Sequence, residues 1–330
     1  MSRNITRLSS RLDRLNALRS QISVASQELT TLQSSSVRPS TIRIRTDLFY
    51  GKKGRQPSIT KIAAPRGVNL QVYLLLLFEA QCRKRVGISG PTEIPLFPED
   101  PEDVSWDKIV VSQATDNSRG KSKTTARQNK LRQIKSAVRR LQEEGLVKTV
   151  TASGGASRII PLHESGVPGG GDSYEYSIPL TTYSTVSVHS SFFTRGWIYC
   201  LTPPEIHLYL ALLHLQRRNP GEHQESGVYC AGVGRTRDYG MSRDVYESHL
   251  LLARFGLISK VRSHLRHDDG KAKSYGVLKE FEIPLPAHRF QLRPQISLMD
   301  SAFERVRNGV ARDLDERIRR VTPVTSLDQL

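Results

Sequence analysis

Apolar residues along this chain fall into helical stripes separated by polar, glycine-rich stretches, and the stripes come in pairs. Over 4–33 the residues Ile5, Leu8, Leu12, Leu15, Ile22 and Leu29 recur at three- and four-residue steps, with Arg19 and Ser26 interrupting the seam. That imperfect heptad predicts one long helix, either a dimerisation helix or an arm packed on its own chain. "SSSVRPS" at 34–40 breaks it and reads as a linker. "GVNLQVYLLLLFEAQCRKR" (67–85) and "LTPPEIHLYLALLHLQRR" (201–218) are two apolar helices ending in bases. Each is followed, after an insert, by a matched tail: "IKSAVRRLQEEGLVKTV" (134–150) and "VYESHLLLARFGLISKV" (245–261).

With Gly145 set against Gly256, the positions Ile134, Val138 and Leu141 align with Val245, His249 and Leu252. A step of four and then three keeps each trio on one helix stripe. Gly-Leu-Val and Gly-Leu-Ile then predict a left-handed helix cap followed by a β-branched strand. Each tail is expected to enter a turn and a second strand, closing on Glu175-Tyr176-Ser177-Ile178-Pro179-Leu180 and Glu280-Phe281-Glu282-Ile283-Pro284-Leu285. A period of just over a hundred residues makes this a duplication of domains rather than a solenoid. A last amphipathic helix is predicted over 298–321, with Met299, Phe303, Val306, Val310, Leu314 and Ile318 on its inner side. Its expected use is core packing, or contact with a partner.

The order of helix, middle helix, long helix, Gly-Leu-[Ile/Val] and hairpin resembles the winged helix-turn-helix family, over roughly residues 60–285 taken twice. "YGMSRDVYESHLLLARFGLI" looks like that family's turn and recognition helix, with Gly240 in the turn and Ser242 as N-cap. Two such units and a terminal helix resemble the arrangement in plasmid replication initiators. "SFFTRGWIYCLTPPEIHLYLALL" (191–213) resembles the entry into such a unit in proteins of mobile elements. The resemblance implies a mainly α protein with small β (α+β). It divides into a helical arm and linker (1–40), two tandem winged-helix domains (41–182 and 183–290), and a C-terminal helix and tail (291–330). Unit one departs from the pattern: "SQATDNSRGKSKTT" (112–125) is too long for a tight turn, although Thr125 and Gln128 can form a capping box.

Charge sharpens the picture. The net charge is +17 and the sequence pI about 10.0, so an anionic partner is expected, nucleic acid first. Between Arg119 and Arg140 stand nine bases and no acid: Arg119, Lys121, Lys123, Arg127, Lys130, Arg132, Lys135, Arg139 and Arg140. Because Ile134, Val138 and Leu141 take the buried stripe, Arg132, Lys135 and Arg139 must face elsewhere. An α-helix fits the major groove, where Arg pairs with guanine edges and Lys holds phosphates. Unit two mixes its helix charges (Arg243, Asp244, Glu247) and places its bases in the turn (Arg235, Arg237) and in the hairpin (Arg262, Arg266, Lys271, Lys273). "SHLRHDDGKAKS" (263–274) reads as a wing tip turning at Asp269-Gly270, for phosphate or for protein contact. Residues 42–66 hold Arg43, Arg45, Lys52, Lys53, Arg55, Lys61 and Arg66 against Asp47, and read as a DNA-backbone arm or an exposed loop. His249, on the packed stripe, reads as a hydrogen-bonded core residue.

Catalytic motifs are missing. There is no P-loop, no His-x-His beside a nucleophilic Tyr, and Gly232-Val233-Gly234 lacks a dinucleotide context. His214-Leu215-Gln216-Arg217 matches a fragment of tyrosine recombinases without the Gly-His element expected after it. The acidic "PEDPEDV" needs no metal. Cys82, Cys200 and Cys230 form no C-x-x-C, which argues against a zinc site and for a reducing compartment. "VYLLLLF" (72–78) is too short to span a bilayer, and the first residues have no signal-peptide core. The expectation is a cytoplasmic, nucleoid- or plasmid-associated protein that binds double-stranded DNA without enzyme activity, metal or cofactor. Homodimerisation through the first helix is open. The alternatives are a transcriptional regulator and a winged-helix adaptor that binds protein.

Overall fold

The computed structural model describes residues 3–35, 37–51, 54–63, 67–96, 103–116, 124–151, 157–166, 174–180, 184–230, 232–263, 265, 267, 272–282, 287–293 and 295–321. It is a mainly helical α+β protein with small antiparallel sheets. The first helix, α1 (Arg3–Ser34), leads into β1 (Thr41–Arg45) and a short α2 (Ile59–Ala63). Then comes α3 (Asn69–Arg83), buried on every side from Asn69 to Cys82 except at Gln71. A helix buried on nearly every side lies at the centre of a core, here with Asn69, Glu79 and Gln81 buried among its apolar residues. A four-residue α4 (Trp106–Ile109) precedes α5 (Ala126–Glu143), then β2 (Val147–Thr151) and β3 (Ser157–Pro161).

The capping box at the start of α5 is present: Thr125 Oγ1 accepts from Gln128 N, and Gln128 Oε1 accepts from Thr125 N. Ile134, Ala137, Val138 and Leu141 turn inward. Gly145 then takes the left-handed conformation at φ 68°, which an L side chain adopts only with strain. Its N–H reaches Gln142 O while Leu146 N reaches Leu141 O. β2 and β3 pair antiparallel from Val147↔Pro161 to Thr151↔Ser157, and Thr92 N bonds to Ile159 O on the far side of β3.

The second unit runs in a similar order with additional short helices. β4 (Thr185–His189) and two single turns, α6 (Ser191–Thr194) and α7 (Trp197–Cys200), lead into α8 (Pro203–Arg218), the second central helix. α9 (Pro220–Glu225), α10 (Gly232–Arg237), α11 (Arg243–Glu247) and α12 (His249–Arg254) follow, then β5 (Ile258–Lys260), α13 (Tyr275–Glu280) and β6 (Phe290–Leu292). Gly256 repeats the cap of Gly145 at φ 77°, with Gly256 N on Ala253 O and Leu257 N on Leu252 O. β5 pairs with β6, and Val228 bridges the other edge of β6 at Phe290. In both units, therefore, a residue between the central helix and the helix that ends at the glycine cap flanks the second strand of the pair.

Two expectations for this unit are corrected. The helix opening at Ser242 is not continuous: it divides into α11 and α12 at Ser248. The Nδ1–H of His249 donates to Tyr246 O at 2.7 Å, so a side chain takes an acceptor that a regular helix would use. The matched closing words are not matched strands either. Residues 176–180 form no strand, and their counterpart begins in α13, with β6 ten residues beyond Glu280. The strand partner is chosen by tertiary packing, since Phe290 and Leu292 fill the core while Phe281 stays exposed.

Three devices join the units. β1 pairs antiparallel with β4, from Thr41↔His189 to Arg45↔Thr185, so the strands that introduce the units form one ribbon. Gly240, at φ 60° in the turn before α11, sits against Gln56 and Thr60, which a methyl group would strike at 2.4 Å. The third device is α1, whose Ile5, Leu8, Leu15, Leu18, Ile22, Ala25, Leu29 and Leu32 are all buried within the chain. It lies along α14 (Ala302–Val321) and also touches α3, α4 and α6. Its seam is thus used internally, as the packed arm of the two readings. α14 starts at Ala302, after a 3-10 turn over Gln295–Met299. Phe303, Val306 and Val310 are buried, while Met299 and Ile318 lie outside. Core residues of both units belong to one continuous cluster.

His207 of α8 lies wholly inside this core, and its Nε2 has no hydrogen-bond partner. Burial lowers its pKa to about 4. The folded state therefore refuses a proton that the unfolded chain accepts at about 6.5. Stability is full above pH 6.5 and is lost as pH falls towards 4. Melting temperatures measured across that window should decline steadily, and His207→Leu should flatten the decline. An unchanged slope in that variant would assign the decline to other groups.

Candidate nucleic-acid interface

The outward side of α5 is the most distinctive charged surface among the described residues. Arg132, Lys135 and Arg139 stand three and four residues apart, outside the buried stripe of Ile134, Val138 and Leu141, with Lys135 at its edge. All three are exposed, and none makes an ion pair among the described residues. Their neighbours differ. Arg127 reaches Asp107 at 3.3 Å, at the start of α5. Lys130 leans the same way, and burial lowers its pKa while Asp107 opposes the shift. Arg140 is held by Glu144 at 2.8 Å and Glu143 at 3.2 Å, and Glu144 also takes Lys61 at 2.9 Å. Of the nine expected bases, three have no ion pair among the described residues, Arg127 and Arg140 are paired, Lys130 is half-buried near Asp107, and Arg119, Lys121 and Lys123 lie outside the described residues. Periodicity found the free stripe; it could not show which flanking bases had acidic partners across the fold.

Unit two presents a different face. Ser242 caps α11 by accepting from Val245 N. Arg243 is exposed but pairs with Glu247 at 2.8 Å. Arg235 donates to Met241 O at 2.6 Å and lies over the Tyr246 ring, so it braces the turn. Arg237 pairs with Asp238 at 2.6 Å. Where α5 carries Arg139, the aligned position in α12 is Leu250, which is 44% exposed. Arg262 and Lys273 are exposed beyond β5. Arg266, Lys271 and the Asp269-Gly270 turn lie outside the described residues. The second face is thus mixed and partly apolar, where the charged residues of the first are all basic from Arg127 to Arg140 and the first acid in the helix is Glu143.

The basic segment 42–66 is neither an arm nor a loop where β1 runs. Arg45 is 3% exposed and donates to Glu164, itself fully buried, at 2.7 Å, and to Ser177 O at 2.9 Å. Its guanidinium also lies over the Tyr176 ring. Arg43 donates to Pro179 O, and Arg55 to Gly166 O. The alternation in "TIRIR" was the available signal for a strand, and the same alternation in "TVSVH" marks its partner. Lys52, Lys53 and Arg66 lie outside the described residues.

The recombinase-like fragment is packed into the fold. His214 Nδ1 meets Tyr239 Oη at 3.0 Å in the core, and burial pushes the Tyr239 phenol well above its ordinary range. Arg217 bonds to Thr185 O of the ribbon. The Cys200 and Cys230 thiols are pushed up to about 12 by burial, so both stay protonated and inert. Among the described residues no group of three His, Cys, Asp or Glu is placed to hold a metal. No described helix is long and apolar enough to cross a membrane. Comparison with family models, curated protein sequences and solved structures finds no match to this chain.

Proposed function

We propose that the two units are tandem winged helices. On this reading the protein binds double-stranded DNA sequence-specifically, as a replication initiator of a plasmid or related element. The observation that carries the reading is the unpaired stripe Arg132–Lys135–Arg139, on the outward side of a capped helix that enters a β-hairpin. Such a helix fits the major groove, and the three side chains supply two guanine-reading forks and one phosphate contact. The duplication and the terminal helix support the initiator role by resemblance. Exposed Leu250 supports a second use for unit two, in which α12 meets a thymine methyl or a partner protein.

Selection of bound fragments from random duplex DNA tests the reading. An enriched site of direct repeats supports an initiator, an inverted repeat a dimeric regulator, and no enrichment an adaptor. Binding should weaken steeply with salt through counterion release. Lys135→Ala should lower affinity about equally for all sequences and reduce the slope of log affinity against log salt by about 1. A slope that stays the same would remove Lys135 from the phosphate contacts.

A further inference from the structure

A cavity of about 140 Å3 lies directly beneath α5. Ile134 and Val138 of α5, Ile159 of β3, Ile94, and Trp106 of α4 line it, and the exposed Lys135 also borders it. Trp106 is only 1% exposed, yet its indole N–H has no acceptor. The protein's other tryptophan, Trp197, donates to Leu298 O at 3.0 Å. A buried donor left unpaired costs stability and marks a place where an acceptor fits.

We propose that this cavity is a binding site for a small aromatic carboxylate. An apolar cavity of roughly 150 Å3 holds one benzene ring, which sets the size of the ligand. The ring fills the aliphatic walls, a carboxylate oxygen accepts the Trp106 N–H, and the negative charge meets Lys135. The ligand thereby draws Lys135 out of the outward stripe of α5 and weakens the grip on DNA. This second step rests on the function proposed above; the site itself does not.

Benzoate is the probe, applied to the full chain. The two indole N–H resonances are separated in proton–nitrogen correlation spectra, and Trp106→Phe identifies the one from Trp106. Benzoate should move that resonance saturably and leave Trp197 in place. Lys135→Met should weaken benzoate several-fold and leave benzyl alcohol, which lacks the charge, unchanged. Val138→Phe and Ile159→Phe fill the cavity, and either one, if folded by circular dichroism, should abolish the shift. A Trp106 resonance that does not move, that moves equally in a folded filled variant, or whose benzoate affinity ignores Lys135→Met overturns the site. At constant ionic strength benzoate should also lower duplex affinity in the unmodified protein and not in the filled variants. Benzoate binding without duplex binding would keep the site and overturn the DNA reading. Duplex binding with an unmoved Trp106 would do the reverse.

Discussion

Replacing Arg132 and Arg139 together with alanine should remove most of the sequence-specific affinity for duplex DNA. Each guanine-reading arginine contributes about 1–3 kcal/mol of discrimination. The two stand seven residues apart, about 10 Å along the helix, far enough for their losses to add. The combined loss is then about 2–6 kcal/mol, or roughly one and a half to four decades in affinity. Both side chains are exposed and unpaired among the described residues, so the fold should be unaffected and the melting curve should overlay. Arg140→Ala is the internal comparison. That guanidinium is already taken by Glu143 and Glu144, and its loss should leave affinity nearly unchanged. Equal mobility-shift affinity for the double variant and the unmodified protein would end the assignment of α5 as the reader.

The largest effect on stability is expected at Glu164. Its carboxylate is fully buried and pairs with Arg45, which has almost no solvent of its own. Removing one member of such a pair strands the other charge in the core and costs about 3–5 kcal/mol, whereas replacing both with apolar residues is often neutral. Glu164→Leu should therefore lower stability by that amount in denaturant titration, and adding Arg45→Met should recover a good part of it. Arg45 also serves Ser177 and Tyr176, so recovery should be incomplete. A double variant no more stable than Glu164→Leu alone would show that the arginine's other contacts dominate.

What the chain disclosed in advance was whatever a few neighbouring residues decide. The Thr125–Gln128 box, the Ser242 cap, the paired left-handed glycines and the stripe of Ile134, Val138 and Leu141 are all fixed within a turn or two of helix. What it withheld depends on partners far away. Arg45 finds Glu164 119 residues later, and nothing near Arg45 marks it as a core residue. β1 meets β4 across the whole of unit one, although each strand's alternation was visible. The first helix shows the same division: its apolar seam was plain, but the seam alone could not say whether it faced a second copy or α14. The break at Ser248 was local yet missed, because it turns on one imidazole competing for one carbonyl.

The packing of α1 against α14 also orders events during synthesis. α1 is translated well before α14 and completes its burial only against it, and Arg11 must wait for Glu205, which it grips at 2.6 and 2.8 Å. At about 5–20 residues per second, roughly a quarter of a minute to a minute separates translation of the two helices. For that interval the nascent chain carries an apolar ridge with its final cover unmade. The other sides of α1 carry arginines in the first half and mainly Ser, Gln and Thr in the second, which keeps it soluble while it waits. The units can build their own hairpins in the meantime, but α1 gains its full cover only when α14 arrives.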